Sequence, residues 1–127
     1  MAQPRFLIDT NVVIGLLNGD AESIALIQST NSDLAHMAIS QITRMELLGF
    51  GGMNEADERT LQSLLAAVHV VMLDAAVESQ TIALRRQRKI KLPDAIIAAT
   101  AIAHGLKLLT LDKTLLSALN TPNPGQN

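Results

Sequence analysis

Four short apolar runs, each separated from the next by helix-length segments, constrain this chain more than any other feature. They are Phe6–Ile8, Leu34–Ile39, Val68–Leu73 and Lys107–Leu111. Runs this short and apolar read as strands covered on both faces. Between them lie segments of helical spacing: Val12–Leu17 and Glu22–Thr30, then Gln41–Leu48 and Glu55–Ala67, then Ala75–Lys89 and Asp94–His104. A last helical segment, Thr114–Leu119, follows the fourth run. Strands joined through helices run parallel, and the helices must cover the sheet. The expected fold is α/β: one domain over residues 1–127, a three-layer α/β/α sandwich around a central parallel sheet of four to five strands. The tail, residues 120–127, reads as frayed, and its Thr121-Pro122-Asn123-Pro124 is a poor strand.

The punctuation agrees with that layout. Asn18-Gly19 stops the first helix, and Gly49, Gly51 and Gly52 break the third. Ser40 stands where an N-cap belongs. Pro93 suits the first turn of a helix, and Gly105 suits its left-handed stop.

Composition removes several functions. The chain has no cysteine, which excludes disulfides, thiolate zinc sites and a cysteine nucleophile. Phe6 and Phe50 are its only aromatic residues, too few for a platform that stacks single-stranded bases. The net charge of −2 gives no global attraction to nucleic acid, so contact must run through phosphates, a metal or a local basic patch. The most apolar stretch, Ala95–Ala103, is too short to span a bilayer, and Met1–Arg5 leads into a strand with no signal-peptide pattern. A cytoplasmic protein without membrane association is expected.

Four acids stand out once the layout is drawn. Asp9 closes the first strand and Asp112 the fourth, so a parallel sheet puts both on one edge, where open α/β sheets bind ligands. Asp94 opens the helix that feeds the fourth strand, and Glu46 lies in the helix after the second. At roughly 5 Å and an effective dielectric of about 20, each like-charge pair costs on the order of 3 kcal/mol. A divalent cation would remove the conflict, and oxygen-only ligands favour Mg²⁺ or Mn²⁺ over zinc. Such a site suits phosphodiester hydrolysis by a metal-activated water. Each of Glu46, Asp94 and Asp112 also has an ordinary reading: solvated helix face, first-turn acid and N-cap respectively. Asp9 is harder to explain that way, because an acid closing a buried strand needs a partner.

A basic run, Arg85, Arg86, Arg88, Lys89 and Lys91, precedes Asp94. It reads either as a solvated helix face or as a clamp on an RNA backbone beside the acids. His36, His69 and His104 are scattered without ligand spacing.

The segments that carry the acids resemble the PIN-domain family. Phe6-Leu7-Ile8-Asp9-Thr10-Asn11-Val12 is similar to its opening motif, and Ile39–Gly49 to its second, with Ser40 starting the helix and Glu46 on it. Leu92-Pro93-Asp94-Ala95-Ile96-Ile97-Ala98-Ala99-Thr100-Ala101 is the most specific match, and Leu109-Thr110-Leu111-Asp112 resembles the last motif. The combination is typical of VapC-type toxins of toxin–antitoxin pairs. The resemblance implies a ribonuclease using Mg²⁺ or Mn²⁺, with Asp9, Glu46, Asp94 and Asp112 as catalytic and metal-binding acids. It implies Asn11 steadying the first acid, Thr110 beside the last, and products ending in 5′-phosphate and 3′-hydroxyl. It further implies an RNA substrate, a homodimer and a cognate antitoxin. The departure is at the far sheet edge, where Leu115-Leu116 replace the aromatic or histidine that often follows the last acid.

Two other classes compete. Haloacid-dehalogenase-like phosphatases need a second aspartate two residues after the first, and Asn11 occupies that place; the adjacent acidic pair of receiver domains is also missing. A non-catalytic RNA- or protein-binding module on the same fold would be marked by loss of an acid, and all four are present.

Overall fold

The computed structural model describes residues 2–119; the tail at 120–127, read above as frayed, lies outside the described residues. Four parallel strands form the sheet: β1 (Phe6–Ile8), β2 (Met37–Ser40), β3 (His69–Val71) and β4 (Lys107–Leu109), in the order β3-β2-β1-β4. Helices α1 (Thr10–Leu17) and α2 (Ala21–Gln28) connect β1 to β2. Helices α3 (Gln41–Leu48) and α4 (Glu55–Ala67) connect β2 to β3, α5 (Ala75–Gln87) and α6 (Leu92–His104) connect β3 to β4, and α7 (Lys113–Leu119) follows. The question of a fifth strand falls on the tail; the described residues hold four.

Alternation along the strands builds two cores. Leu7, Ala38 and Leu108 face one side, where Val77 and Leu84 of α5, Ile97 and Ala98 of α6 and Leu115 of α7 cover them. Ile8, Met37, Ile39 and Leu109 face the other, against Val12 and Val13 of α1, Leu47 of α3 and Leu61 and Leu65 of α4. This is the three-layer sandwich expected from the alternation. The small face of α6, with Ala95, Ala98, Ala99 and Ala101 all buried, lets that helix lie close to its neighbours. Gly105 ends it at φ 64°, in the left-handed region. No helix among the described residues is long and apolar enough to cross a membrane.

Three strand expectations were too long, each for a visible reason. Leu34–His36 is a 3₁₀ turn, because the Asp33 carboxylate accepts Ala35 N–H at 3.1 Å and bonds His36 Nδ1 at 3.0 Å. Edge strand β3 stops at Val71: Met72 and Leu73 are exposed, and Leu73 N–H donates to the Gln41 side chain at 2.9 Å instead of a ladder. Strand β4 stops at Leu109 because Thr110 turns its hydroxyl to the acid that follows β1.

The chain runs outward from β1 through β2 to β3, then returns to place β4 on the other side of β1. The strand order reverses between β1 and β4, the kind of place where open α/β sheets bind ligands beyond the carboxyl ends of their strands.

Candidate active site

Asp9 sits at that reversal point and is 3% exposed. Its backbone N–H donates to Leu109 O at 3.0 Å, continuing the β1–β4 pairing one residue further. It occupies the N-cap of α1, yet its side chain makes no capping bond. The N-cap side chains of α2, α3, α4 and α5, from Asp20, Ser40, Asn54 and Asp74, all do. The Asp9 carboxylate is turned across the sheet instead, where Thr110 Oγ1 donates to its Oδ2 at 2.7 Å. Burial pushes this carboxyl above its ordinary range. The Thr110 hydroxyl and the nearby Thr10 N–H oppose that rise, and the charges of Asp94 and Asp112 add to it.

Thr110 serves two acids. While donating to Asp9, its hydroxyl accepts Asp112 N–H at 3.0 Å. Asp112 is exposed, and its Oδ1 accepts Thr114 N–H at 2.9 Å and Leu115 N–H at 3.4 Å, so it caps α7. Its charge nevertheless reaches Asp9.

Glu46 comes in through α1. Thr10 Oγ1 donates to Glu46 Oε1 at 2.9 Å and lies 2.8 Å from Thr43 Oγ1. A hydroxyl has one proton, so Thr43 is the donor in the second bond. Thr43 and Glu46 are three residues apart on α3 and share a face. Two buried hydroxyls on neighbouring helices thereby fix an exposed carboxylate.

Asp9, Asn11, Glu46 and Asp94 line one cleft of about 470 Å³, together with Asp57. Its flank is apolar: Ile14, Leu17, Leu47, Phe50 and Met53. Neither a lysine nor an arginine lines it. Three of the four expected acids therefore meet in the cleft, and Asp112 stands beside it. Asn11 lines the cleft, but the hydrogen bond to the Asp9 carboxylate comes from Thr110, not from its amide. The basic residues Arg85, Arg88, Lys89 and Lys91 line a separate hollow and Arg86 lines neither.

Sequence reasoning missed Thr10 and Asp57. Thr10 was legible as a hydroxyl next to a buried acid. Asp57 looks like an ordinary first-turn acid of α4, whose N–H the Asn54 side chain caps at 2.8 Å. Only the return of the Phe50–Met53 segment brings it to the cleft.

Among the described residues no three acidic or histidine side chains close on one point tightly enough to ligate a bare ion. The donor set still fits a hard cation that keeps several waters and takes one or two carboxylates. Asp9 is a desolvated carboxylate between two other negative groups, with no cationic side chain in its cleft.

The PIN domain family matches residues 6–119. Ribonuclease VapC10 of Mycobacterium tuberculosis is 33% identical over 111 residues, covering 84% of this chain and 81% of that protein. A chain of a toxin–antitoxin complex from Klebsiella pneumoniae superposes with a TM-score of 0.77 at 31% identity, over 91% of this chain and 92% of that one. FitAcB from Neisseria gonorrhoeae does so with a TM-score of 0.74 at 27% identity, over 91% and 94% of the two chains. Fold and sequence agree over nearly the whole described length, and the chain belongs to the PIN-domain family.

Proposed function

We propose that this chain is an endoribonuclease dependent on Mg²⁺ or Mn²⁺, and the toxin of a toxin–antitoxin pair. One observation carries the reading. Asp9 stands where a capping acid belongs, yet it makes no side-chain cap and lies buried, its pKa raised by that burial and further by two neighbouring acids, in a cleft lined by no cationic side chain. Such an arrangement is costly unless positive charge arrives with the ligand.

Asp9 and Asp94 would hold the cation, with Asp112 and Glu46 completing the negative field. When bound, such an ion lowers the pKa of an attacking water and offsets charge on the phosphate. The protein's own part is orientation. Thr110 holds Asp9 in one rotamer, Thr10 holds Glu46, and the first turn of α6 carries Asp94. A carboxylate so fixed can accept a proton from water at the scissile phosphate. Asn11, exposed on the cleft wall, offers an amide donor to a phosphate or ribose oxygen.

RNA as substrate is supported by the naming of the VapC10 relative as a ribonuclease. An antitoxin partner is supported by the toxin–antitoxin complex from Klebsiella pneumoniae. The apolar flank of the cleft, with Phe50 65% exposed, is a surface such a partner can cover. A homodimer rests on the family resemblance, and the absence of cysteine fits a reducing cytoplasm.

The test is cleavage of a mixed RNA pool by purified protein with Mn²⁺, with chelator, and with Asp9→Asn and Asp94→Asn. Cleavage should need the metal and fall sharply in both variants. Activity indifferent to chelator and to both substitutions would overturn the mechanism. No cleavage under any condition, with RNA still bound, would favour the non-catalytic module.

A further inference from the structure

The second hollow of the molecule is walled almost entirely by cations. Arg85, Arg88, Lys89 and Lys91 line it with Ile90, and no acid does. It lies where α5 hands over to α6, and among the described residues none of these four side chains is in an ion pair. Four like charges around one cavity repel one another, which is the inverse of the problem at Asp9.

Arg88 adds a second, independent observation. It is the C-cap of α5, with its backbone N–H on Leu84 O at 3.1 Å. Its Nη2 donates to Ser117 Oγ of α7 at 3.3 Å, which pins the guanidinium from one side. Its Nη1 is shut away from solvent and has no hydrogen-bond acceptor, the only such side-chain atom among the described residues. A sheltered guanidinium N–H without an acceptor is expensive, and a phosphate seated on the accessible part of this cation would offset its charge.

Position along the chain supplies the third element. Lys91 is the N-cap of α6, and Asp94 lies in the first turn of that helix. Three residues reach at most about 11 Å, so the last cation of the hollow stands within that distance of Asp94 along the chain. The Lys91 side chain makes no capping bond, and Pro93 has no N–H to give.

We infer that this hollow is a phosphate subsite, seated on Arg88 and walled by Arg85, Lys89 and Lys91, that holds an RNA backbone phosphate next to the one presented to Asp9 and Asp94. The assignment rests on the ribonuclease reading for its substrate class. It divides labour between two pockets of opposite sign: one holds a strand by its phosphates, the other works on a neighbouring phosphate. It also separates Arg86, which lines neither pocket, from its basic neighbours.

The test measures binding without cleavage. Anisotropy of a labelled single-stranded RNA is followed in chelator from 50 to 200 mM salt, for wild type, Arg88→Gln, the double variant Arg85→Gln/Lys89→Gln, and Lys107→Gln. Lys107 is exposed at the opposite, amino end of β4 and serves as the control for loss of one positive charge elsewhere. Arg85 and Lys89 are exposed, so the double variant folds even if Arg88→Gln does not. Losing the one phosphate contact of this subsite should flatten the slope of log K against log salt by about 0.7, the value for one contact on a single strand. Affinity at 50 mM salt should fall about tenfold or more, with Lys107→Gln unchanged. Unaltered slope and affinity in the double variant would overturn the subsite. So would binding of inorganic phosphate that protects wild type but not the double variant while RNA binding stays equal, since the site would then serve a free anion. Preferential capture of an oligoglutamate over RNA would reassign the hollow to a protein partner. If the variants bind RNA normally and Mn²⁺-dependent cleavage persists, the subsite fails and the nuclease reading stands. If wild type neither binds nor cleaves RNA, both fail.

Discussion

Asp9 and Asp112 both lie beyond the carboxyl ends of neighbouring strands and are used in opposite ways. Each follows a short parallel strand, each precedes a helix, and one hydroxyl, Thr110 Oγ1, touches both residues. Asp112 is exposed and spends an oxygen on two N–H groups of α7. Asp9 is buried, makes no capping bond to α1, and carries a raised pKa. The difference follows from strand position. β1 is flanked on both sides by strands and on both faces by helices, so its carboxyl end is enclosed; β4 ends the row in the described sheet. An acid in an enclosed place costs stability, and a protein that keeps one there is using its charge.

The widest gap between the two should appear in activity. In RNA cleavage with Mn²⁺, Asp9→Asn should lose about a hundredfold or more, since several kcal/mol of charge stabilisation go with it. Asp112→Asn should lose distinctly less. Equal losses would erase the comparison.

Thr110→Val attacks the link between the two acids. It strands a buried carboxylate oxygen, so unfolding in denaturant should show a cost of about 1–3 kcal/mol. The effect should exceed that of Thr10→Val, whose partner Glu46 is exposed and can turn to water. A neutral Thr110→Val would mean that the hydroxyl does not hold Asp9.

Capping separates the acids at a smaller scale. Asp112→Ala should cost about 1 kcal/mol and Asp112→Asn almost nothing, because asparagine caps as well as aspartate. Asp9→Asn should not behave as the loss of a cap at all.

The smallest effect is in pH dependence. Asp9 is raised above its ordinary pKa of 3.8, chiefly by burial, so the folded state holds its proton more tightly than the unfolded chain. Wild-type stability should therefore fall, relative to Asp9→Asn, as pH rises from that value through the raised one. In chelator the Tm of Asp9→Asn should exceed that of wild type by a margin that opens over this window and then levels off. Adding Mn²⁺ at neutral pH should narrow it by stabilising wild type alone. A margin constant with pH would remove the charge argument.

The sequence by itself determined the elements and their order. Strand runs, helix spacing, the stops at Asn18-Gly19 and Gly105 and the helix start at Pro93 are local, because backbone preference and periodicity act over a few residues. The family motifs around Asp9, Glu46, Asp94 and Asp112 were legible for the same reason. What the tertiary structure decided was which acids are ordinary. Asp112 and Asp9 look alike in sequence, and only strand order shows that one is enclosed and the other free to cap. Thr10 reaching Glu46 and Arg88 pinned by Ser117 join residues 36 and 29 positions apart, and Asp57 returning to the cleft brings in an element that shares no sequence signal with the others. Burial and hydrogen bonding depend on what lies across the fold, and a carboxylate's employment is set by its surroundings rather than by its neighbours in the chain.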